Sequence, residues 1–295
     1  MDRPCPPLDE RTAHAAARRP SRFLGYLVFI PPILVHLALL AAFEVEVTLA
    51  SVIVFFVAML VMGLGITIGF HRYFSHRSFN TSRVFQFLLG FAGCTALQKG
   101  PLWWVTHHRL HHIHSDTERD PHSPIAESFW YAHMGWLFST VFARPNENRV
   151  RDIARFPEIV WLERLWTVPG VLAASACYSL GGWAWVIYGY CLSTAVTYQL
   201  TFAINSLGHS WGSQRFATGE GSRNNPLLGV LAMGEGWHNN HHRAPTSARH
   251  GFAWYEFDLS YAVIRLLQSV GIVWAVRQPP AAAMAVARGI HKTET

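Results

Sequence analysis

Charged residues are scarce in this sequence: Asp, Glu, Lys and Arg together make up 14% of its 295 residues. Soluble domains carry roughly 25%. Hydrophobic residues form 51% of the chain, and the mean hydropathy is positive at +0.16. This composition excludes a typical soluble protein and predicts a membrane protein. The net charge of +6 is then expected to reflect the sidedness of Arg and Lys, not nucleic-acid binding.

Cysteine is also scarce, and no two cysteines form a C-x-x-C pair. The four are Cys5, Cys94, Cys177 and Cys191. This spacing excludes a disulfide framework and a thiolate metal site, and it predicts reduced packing residues. The sequence also lacks a flavin or nucleotide fingerprint and a cysteine-ligated iron–sulfur motif. Any redox chemistry therefore requires an external electron donor.

The first 22 residues lack the apolar core and small-residue cleavage site of a secretory signal. Residues 1–22 are rich in Pro, Ala and Arg, which predicts a disordered basic tail held on the cytoplasmic side by its arginines. Residues 23–276 are expected to form one membrane domain, and residues 277–295 a C-terminal tail.

Four uncharged apolar runs are long enough to suggest membrane spans, since about 20 residues cross the hydrocarbon core. They cover residues 23–43, 48–70, 165–180 and 182–204. The short links inside each pair predict two hairpins, and so an all-α, polytopic membrane protein with four transmembrane helices. Both termini and both large polar segments then lie on one side, which the arginines mark as cytoplasmic.

Two further apolar runs are predicted to lie at the membrane without crossing it. Val84 to Leu97 is too short to span and is expected to be interfacial or re-entrant. Leu259 to Val276 contains Arg265 and Gln268, which favours an amphipathic helix lying on the membrane.

Histidine, in contrast, is abundant, with 17 residues, most of them clustered. The first cluster holds His71 and His76, directly after the second span. On an α-helix, five residues turn the direction of the side chain by about 140°. These two rings are therefore expected to flank a site without sharing one narrow face.

Two more clusters repeat the pattern H-x2-H-H, which places all three rings of each on one helical face. They are His108, His111 and His112, and His238, His241 and His242. Asn205 and His209 share a face at the end of the last span. All of these clusters are expected on the cytoplasmic side, gathered there as a helical cap that carries a two-metal site.

Close-packed imidazoles would repel if protonated and would lack partners if neutral, and a metal resolves both problems. The ligands are too many for one ion but suit two. Structural zinc usually takes cysteine, and no cysteine lies near these clusters. The residues themselves leave iron, copper, nickel and zinc open.

The three histidine clusters 71–76, 108–112 and 238–242, called boxes below, resemble the histidine boxes of the integral-membrane fatty acid desaturases. The resemblance is closest to the delta-9 acyl-CoA desaturases of the stearoyl-CoA type and their bacterial relatives. The resemblance covers about residues 23–260. Supporting strings are Gly69 to Arg72, Trp104, Asp120 to His122, Asn205 to His209, and Gly234 to Asn239.

The resemblance implies an O2-dependent enzyme with two iron ions, which introduces a cis double bond into a saturated long-chain acyl thioester, foremost acyl-CoA at delta-9. Acyl carrier protein or phospholipid is the alternative carrier. An external ferredoxin or reductase is the implied donor, and a bacterial inner membrane the implied location. The implied metal ligands are His71, His76, His108, His111, His112, His209, His238, His241 and His242, with Asn205 holding a metal-bound water.

The resemblance also implies that four residues line the acyl tunnel: Gln98, Trp104, Thr201 and Phe202. Trp104 lies one turn before His108, and Thr201 one turn before Asn205, so both are expected on ligand faces. Simple helix packing is the alternative role for these two residues.

Other residues near the boxes receive less specific predictions. The acids Asp116, Glu118, Asp120 and Glu235 are expected behind the ligands. The arginines Arg72, Arg109 and Arg243 are expected to meet phosphates of CoA or lipid, or to be surface charges. His107, His114 and His122 are expected to be non-ligands, and His14, His133, His250 and His291 to be solvated or structural.

Two rival functions remain open from the sequence. The same metal site would serve an acyl hydroxylase or an acetylenase. A non-enzymatic, histidine-rich membrane metal-handling protein is the third possibility, but it would favour acidic or histidine residues within the spans. Only His36 fits that description.

Overall fold

The structure is a computed structural model, and it describes residues 30–289. The predicted basic tail 1–22 and the start of the first predicted span lie outside the described residues. Helices dominate the described part of the chain. They are α1 Ile30–Ala38, α2 Leu49–Leu64, α3 Arg83–Thr95, α4 Pro101–His114, α5 Phe129–His133, α6 Arg151–Ala154, α7 Pro157–Arg164, α8 Val168–Ala184, α9 Leu192–Ser206, α10 Pro226–Leu231, α11 His238–Arg243, α12 Leu259–Ser269 and α13 Ala281–Ala287.

Two helical segments are long and apolar enough to cross a membrane. Leu49–Ser75 has 27 residues and a mean hydropathy of 2.7, and Val168–His209 has 42 residues and a mean hydropathy of 1.4. In the most apolar 18-residue stretch of each segment, only 22% and 11%, respectively, is buried within the protein. The core helix of a soluble protein would be mostly buried, so these outward apolar faces indicate contact with lipid.

The second long segment consists of two helices separated by a break, not of one continuous helix. Gly182 adopts φ 61° and ψ −153°, a backbone conformation open mainly to glycine, and it breaks the helix there. Helix α8 packs against the π-helical segment Trp185–Cys191 that follows the break. This arrangement agrees with a hairpin at the predicted position.

The first predicted hairpin is described only in part. Ile30–Phe43 is a short apolar helix, completed by a 3-10 turn at Leu39–Phe43. Tyr188 donates its hydroxyl hydrogen to the carbonyls of Ala42 and Val45 at 2.6 and 2.9 Å. The link between α1 and α2 therefore packs on the second hairpin.

The apolar run after the first histidine box forms α3, which lies against the end of the first long segment. Ser82 caps α3 by accepting from the Phe85 N–H at 3.2 Å. Backbones touch where the helices cross, because a Cβ on Gly65 would stand 2.4 Å from the Gly93 nitrogen. This close packing fixes the direction in which the first box points.

The C-terminal part folds back onto the first long segment. Two short antiparallel strands, β1 Asn80–Thr81 and β2 Val273–Trp274, join the end of the first box to the segment after α12. Predicting one amphipathic helix from residue 259 to 276 was wrong. Helix α12 ends at Ser269, because Gly271 turns the chain at φ 75° into β2.

Candidate metal centre

The first box lies on a π-helix, Gly65–Ser75, which continues α2. Bonds from residue i to i+5 bring positions five apart onto one face, and the His76 N–H donates to the His71 carbonyl at 3.2 Å. The two ring centroids are 5.0 Å apart. The α-helical rotation of about 140° assumed from the sequence therefore does not apply here, whereas both rings do flank one candidate site, as expected.

The nine clustered histidines divide into two groups, each of which could hold a metal ion. The nitrogen atoms they offer lie within 4.8 Å of one another in each group. The first group is His71, His76, His108, His112 and His241. The second group is His111, His209, His238 and His242. Each H-x2-H-H box contributes to both groups, so the shared helical face spans two adjacent sites.

Distances between the Nε2 atoms fit metal coordination. In the five-histidine group, Nε2 of His241 lies 3.1 Å from that of His71 and 2.9 Å from that of His112. In the four-histidine group, Nε2 of His238 lies 3.0 Å from that of His209 and 3.1 Å from that of His242. Metal–nitrogen bonds of about 2.1 Å at right angles place neighbouring nitrogens about 3 Å apart. The donor set therefore fits two ions.

Carboxylates behind the rings fix which nitrogen faces the centre. The Nδ1–H groups of His111 and His209 donate to Asp120 and Asp116 at 2.9 and 2.8 Å, and Nδ1 of His71 lies 2.5 Å from Glu235. Each Nε2 then presents a lone pair to the cluster, which is the arrangement that metal-binding histidines use.

Glu220 is a fourth carboxylate at the centre, and sequence reasoning missed it. Its oxygens lie 3.5 Å from Nδ1 of both His209 and His242. Four carboxylates together offset the charge of two divalent cations. Glu118, the other acid considered, is exposed and takes no part. No periodicity in the sequence marks Glu220, since it lies on a loop between helices.

The lowered pKa values of six of the nine histidines favour the neutral, ligating form, whereas, against the effect of burial, Asp120 raises the pKa of His111. Burial, followed by neighbouring imidazoles, holds the pKa of His238, His241 and His242 well below its usual range. Burial alone would raise the pKa of Asp120, but the adjacent His111 lowers it instead. The acid is therefore ionised and able to accept from the His111 ring.

His250 is a second residue whose place the sequence did not reveal. It was expected to be solvated or structural, and the structural role holds: it is fully buried, with its ring 4.5 Å from that of His241. Its Nδ1 lies 3.5 Å from Glu235. It therefore belongs to the network behind the five-histidine group.

Two arginines proposed as phosphate ligands are already paired inside the protein. Arg72 has no exposed surface and lies between Glu235 and Asp258. Arg109 contacts both oxygens of Asp152 at 2.8 Å. That expectation was wrong for both, because these charges support the fold around the histidines. Arg243 is exposed.

Two cavities reach the histidines and share one wall. The shared lining residues are Trp104, His108, His122, Thr201 and Asn205. Gln98 and Phe202 line the second cavity. The structure therefore places all four predicted tunnel residues in cavity walls, and Asn205 and His108 line both cavities.

Two contacts hold the shared wall in shape. The Trp104 ring stacks on His108 with centroids 4.9 Å apart. The Gln98 amide donates to the Thr201 hydroxyl at 3.0 Å. Trp104 and Thr201 lie one helical turn from His108 and Asn205, so the face that carries a predicted ligand also faces the cavity.

Replacing Asp120 with asparagine is expected to weaken metal binding about 10- to 100-fold, because loss of a partner behind a ligand has that effect. Asp120 holds His111 and accepts from the Asp116 and His122 backbone N–H groups at 2.8 and 3.1 Å. Metal retained against a graded chelator gives the measurement. The control is Glu118→Gln, an exposed acid two residues away. Equal retention in both variants would contradict the role given to Asp120.

Comparison with known proteins agrees with this site. A family model described as fatty acid desaturase matches residues 46–269. An sn-1 stearoyl-lipid 9-desaturase of Anabaena variabilis is 39% identical over 219 residues, which cover 73% of this chain and 79% of that protein. An acyl-CoA C20 Delta5-desaturase of Anemone leveillei is 37% identical over 218 residues, which cover 73% of this chain and 70% of that protein.

A chloroplastic palmitoyl-monogalactosyldiacylglycerol delta-7 desaturase of Arabidopsis thaliana is 39% identical over 247 residues. The match covers 82% of this chain and 66% of that protein, so this chain spans about two thirds of its length. The family model covers most of this chain, and the Anabaena relative is matched over most of its own length. The chain therefore belongs to the fatty acid desaturase family.

Proposed function

We propose that this protein is an O2-dependent acyl desaturase that uses two iron ions to introduce a cis double bond into a saturated long-chain acyl substrate. One observation carries the proposal: the two histidine groups lie next to two cavities that share a wall. An acyl chain lying in the cavities would pass beside both groups.

The five-histidine group would hold one iron and the four-histidine group the other, with Asn205 beside them. When bound, the two ions supply the O2 chemistry that removal of hydrogen from an unactivated methylene requires. The chain's own residues position the substrate and exclude water. Imidazole ligands suit iron. The carboxylates behind the rings keep the Nε2 atoms of the imidazoles free for the metals.

The shared wall would position the two reacting carbons. Trp104 is held by its stack on His108, and Thr201 is held by Gln98. A wall that cannot shift presents one short stretch of the chain to the metals, and fixed placement of this kind contributes strongly to rate and selectivity. The Gln98 amide donates to the Thr201 hydroxyl, so these two polar side chains are held by each other.

The substrate we propose is an acyl-CoA, with the double bond at delta-9. Relatives are named as acyl-CoA and as acyl-lipid desaturases, and phospholipid or acyl carrier protein is the alternative carrier. Electrons would come from an external ferredoxin or reductase. The protein would lie in a bacterial inner membrane, with both termini cytoplasmic.

The test is the fatty acid profile of a host membrane that expresses the protein with an electron donor, beside a His111→Ala variant. A monounsaturated acid in the wild-type sample alone is expected, and its double-bond position reports the regiochemistry. Hydroxy or acetylenic acids would keep the site and change the reaction. No new product despite bound iron would overturn the proposal and favour metal handling.

A further inference from the structure

The two cavities differ in chemistry beyond their shared wall. The first continues between α2 and α9 along aliphatic side chains and Gly63. These lining residues are Met59, Gly63, Ile66, Leu200, Ile204 and Leu231. Thr67 and Thr197 also line this cavity, but their hydroxyls already hydrogen-bond to the Ser260 hydroxyl at 2.7 Å and the Ser193 carbonyl at 2.8 Å. Such a wall suits a methyl-terminated chain and, among the described residues, contains no cation for an ester or thioester carbonyl.

The second cavity contains a cation, Lys99, in a wall otherwise rich in aromatic and aliphatic side chains. Its Nζ donates to the Ala143 carbonyl at 3.3 Å and lies 4.6 Å from the centre of the Trp103 ring. Within residues 30–289 no carboxylate lies within ion-pair distance of it. An ammonium group has three N–H donors, so Lys99 retains donors for a ligand.

Trp136 adds a second unused donor to the same cavity. Its side chain is 5% exposed, and its buried indole N–H has no hydrogen-bond partner. A buried donor left unpaired costs about 1–3 kcal/mol. Two independent donors therefore mark this cavity as a place for hydrogen-bond acceptors.

The backbone around Lys99 is held in an unusual conformation. Leu97 and Lys99 have φ values of 54° and 66°, which are costly for residues with a Cβ and tend to occur at functional sites. Glu163 secures the next residues by accepting from the Leu102 and Trp103 N–H groups at 2.8 and 3.1 Å. Lys99 is therefore displayed from a rigid position.

We propose that the Lys99 cavity holds the carboxyl end of the acyl substrate, with the Lys99 ammonium donating to the ester or thioester carbonyl oxygen. The aliphatic cavity then receives the methyl end, and the chain has one direction past the metals. This inference rests on the proposed function and makes Lys99 a specificity-determining residue.

Lys99 would also define where the double bond forms. Helix α4 begins at Pro101 and carries His108 seven residues later, a rise of about 10 Å. A carbonyl fixed near the start of α4 sets how many methylenes lie between it and the metals. The double-bond position counted from the carbonyl should depend on Lys99.

The test compares substrates that differ only in the carbonyl group. Iron-loaded protein with a ferredoxin and its reductase, NADPH and O2 is given 1-stearoyl or 1-octadecyl phosphatidylcholine in vesicles, and separately stearoyl-CoA or its S-octadecyl thioether. The ether and thioether lack the carbonyl oxygen. The wild type should show a KM about ten-fold lower for one carbonyl compound than for its analogue, the effect of a charged hydrogen bond. The pair that shows it identifies the carrier.

Variants then assign that preference to Lys99. Lys99→Met should remove the difference between carbonyl compound and analogue and should yield a mixture of double-bond positions. Lys99→Arg keeps the charge and the donors, and it should retain most of the preference. A general loss of packing would instead lower activity on both members of a pair equally.

Three outcomes are decisive. A wild type that accepts carbonyl and ether compounds equally would overturn the role of Lys99 while leaving the desaturase proposal intact. Persistence of the preference and of a single double-bond position in Lys99→Met would do the same. A wild type that desaturates none of the four substrates despite bound iron would count against the proposed function itself.

Discussion

Replacing His241 with alanine is expected to lower bound iron from two ions to one per chain and to reduce double-bond formation by more than about 100-fold, the upper figure for partners behind a ligand. The Nε2 of His241 lies near those of His71 and His112. Its loss removes one of five donors and leaves the four-histidine group complete. His238→Ala should spare the five-histidine group instead.

Iron content by elemental analysis, together with product analysis, distinguishes these expectations. The matched control is His36→Ala, because His36 lies in α1 and belongs to neither group; its Nδ1 contacts the Pro32 carbonyl at 2.8 Å and its ring stacks on that of Tyr198 with centroids 6.2 Å apart. The control should keep two ions and full activity. Two ions and undiminished activity in His241→Ala would remove this residue from the ligand set.

The clustered histidines show how far sequence reasoning reaches. Spacing alone brings His108, His111 and His112 to one face, because helical periodicity is local. It does not show that His111 joins a different group from its two neighbours. That division depends on where α11 and the segment after α9 lie, because His111 meets His209 and His242, which are about 100 and 131 positions away in the chain.

The first box shows where local rules fail. Its α-helical angle was wrong because Gly65–Ser75 winds as a π-helix, a form that occurs most often as a local feature at functional sites. Sequence reasoning did not place Glu220 and His250 at the metal centre for a different reason. Both lie outside any periodic pattern, and only the folded chain brings them behind the ligands.

The apolar segments were predicted well where amino-acid composition alone determines their bounds. Leu49–Ser75 matches the second predicted span, extended by the π-helix. The break at Gly182 lies where Gly181 and Gly182 interrupt the apolar run. Within residues 30–289 two helices meet the length and hydropathy for spanning, so four spans remain a prediction.

The buried charges around Arg72 lead to the largest expected effect on stability. Its Nη1 lies 2.9 Å from Asp258, and its Nη2 lies 3.2 Å from Glu235 and 3.1 Å from the His250 Nδ1. The Nη1 contact is an ion pair without hydrogen-bond geometry. None of the Arg72 side chain is exposed. Two buried carboxylates therefore share one guanidinium as a charged partner, although Asp258 also accepts backbone N–H groups and Glu235 also lies beside His71.

Arg72→Met is expected to destabilise the protein by about 3–5 kcal/mol, because removing one partner leaves buried charge uncompensated. The melting temperature measured in detergent should fall by about 10 °C. The control is Arg265→Met on α12, where the side chain is exposed and contacts only Gln268. It should change stability by no more than about 0.5 kcal/mol.

A second variant separates charge from packing. Asp258→Asn combined with Arg72→Met removes one of the stranded charges and should recover part of the lost stability, since neighbours in one network are not additive. Recovery would show that the uncompensated carboxylates cause the loss. Equal melting temperatures for Arg72→Met and the wild type would mean that water or protonation already relieves these acids, and the guanidinium would then be dispensable to the fold.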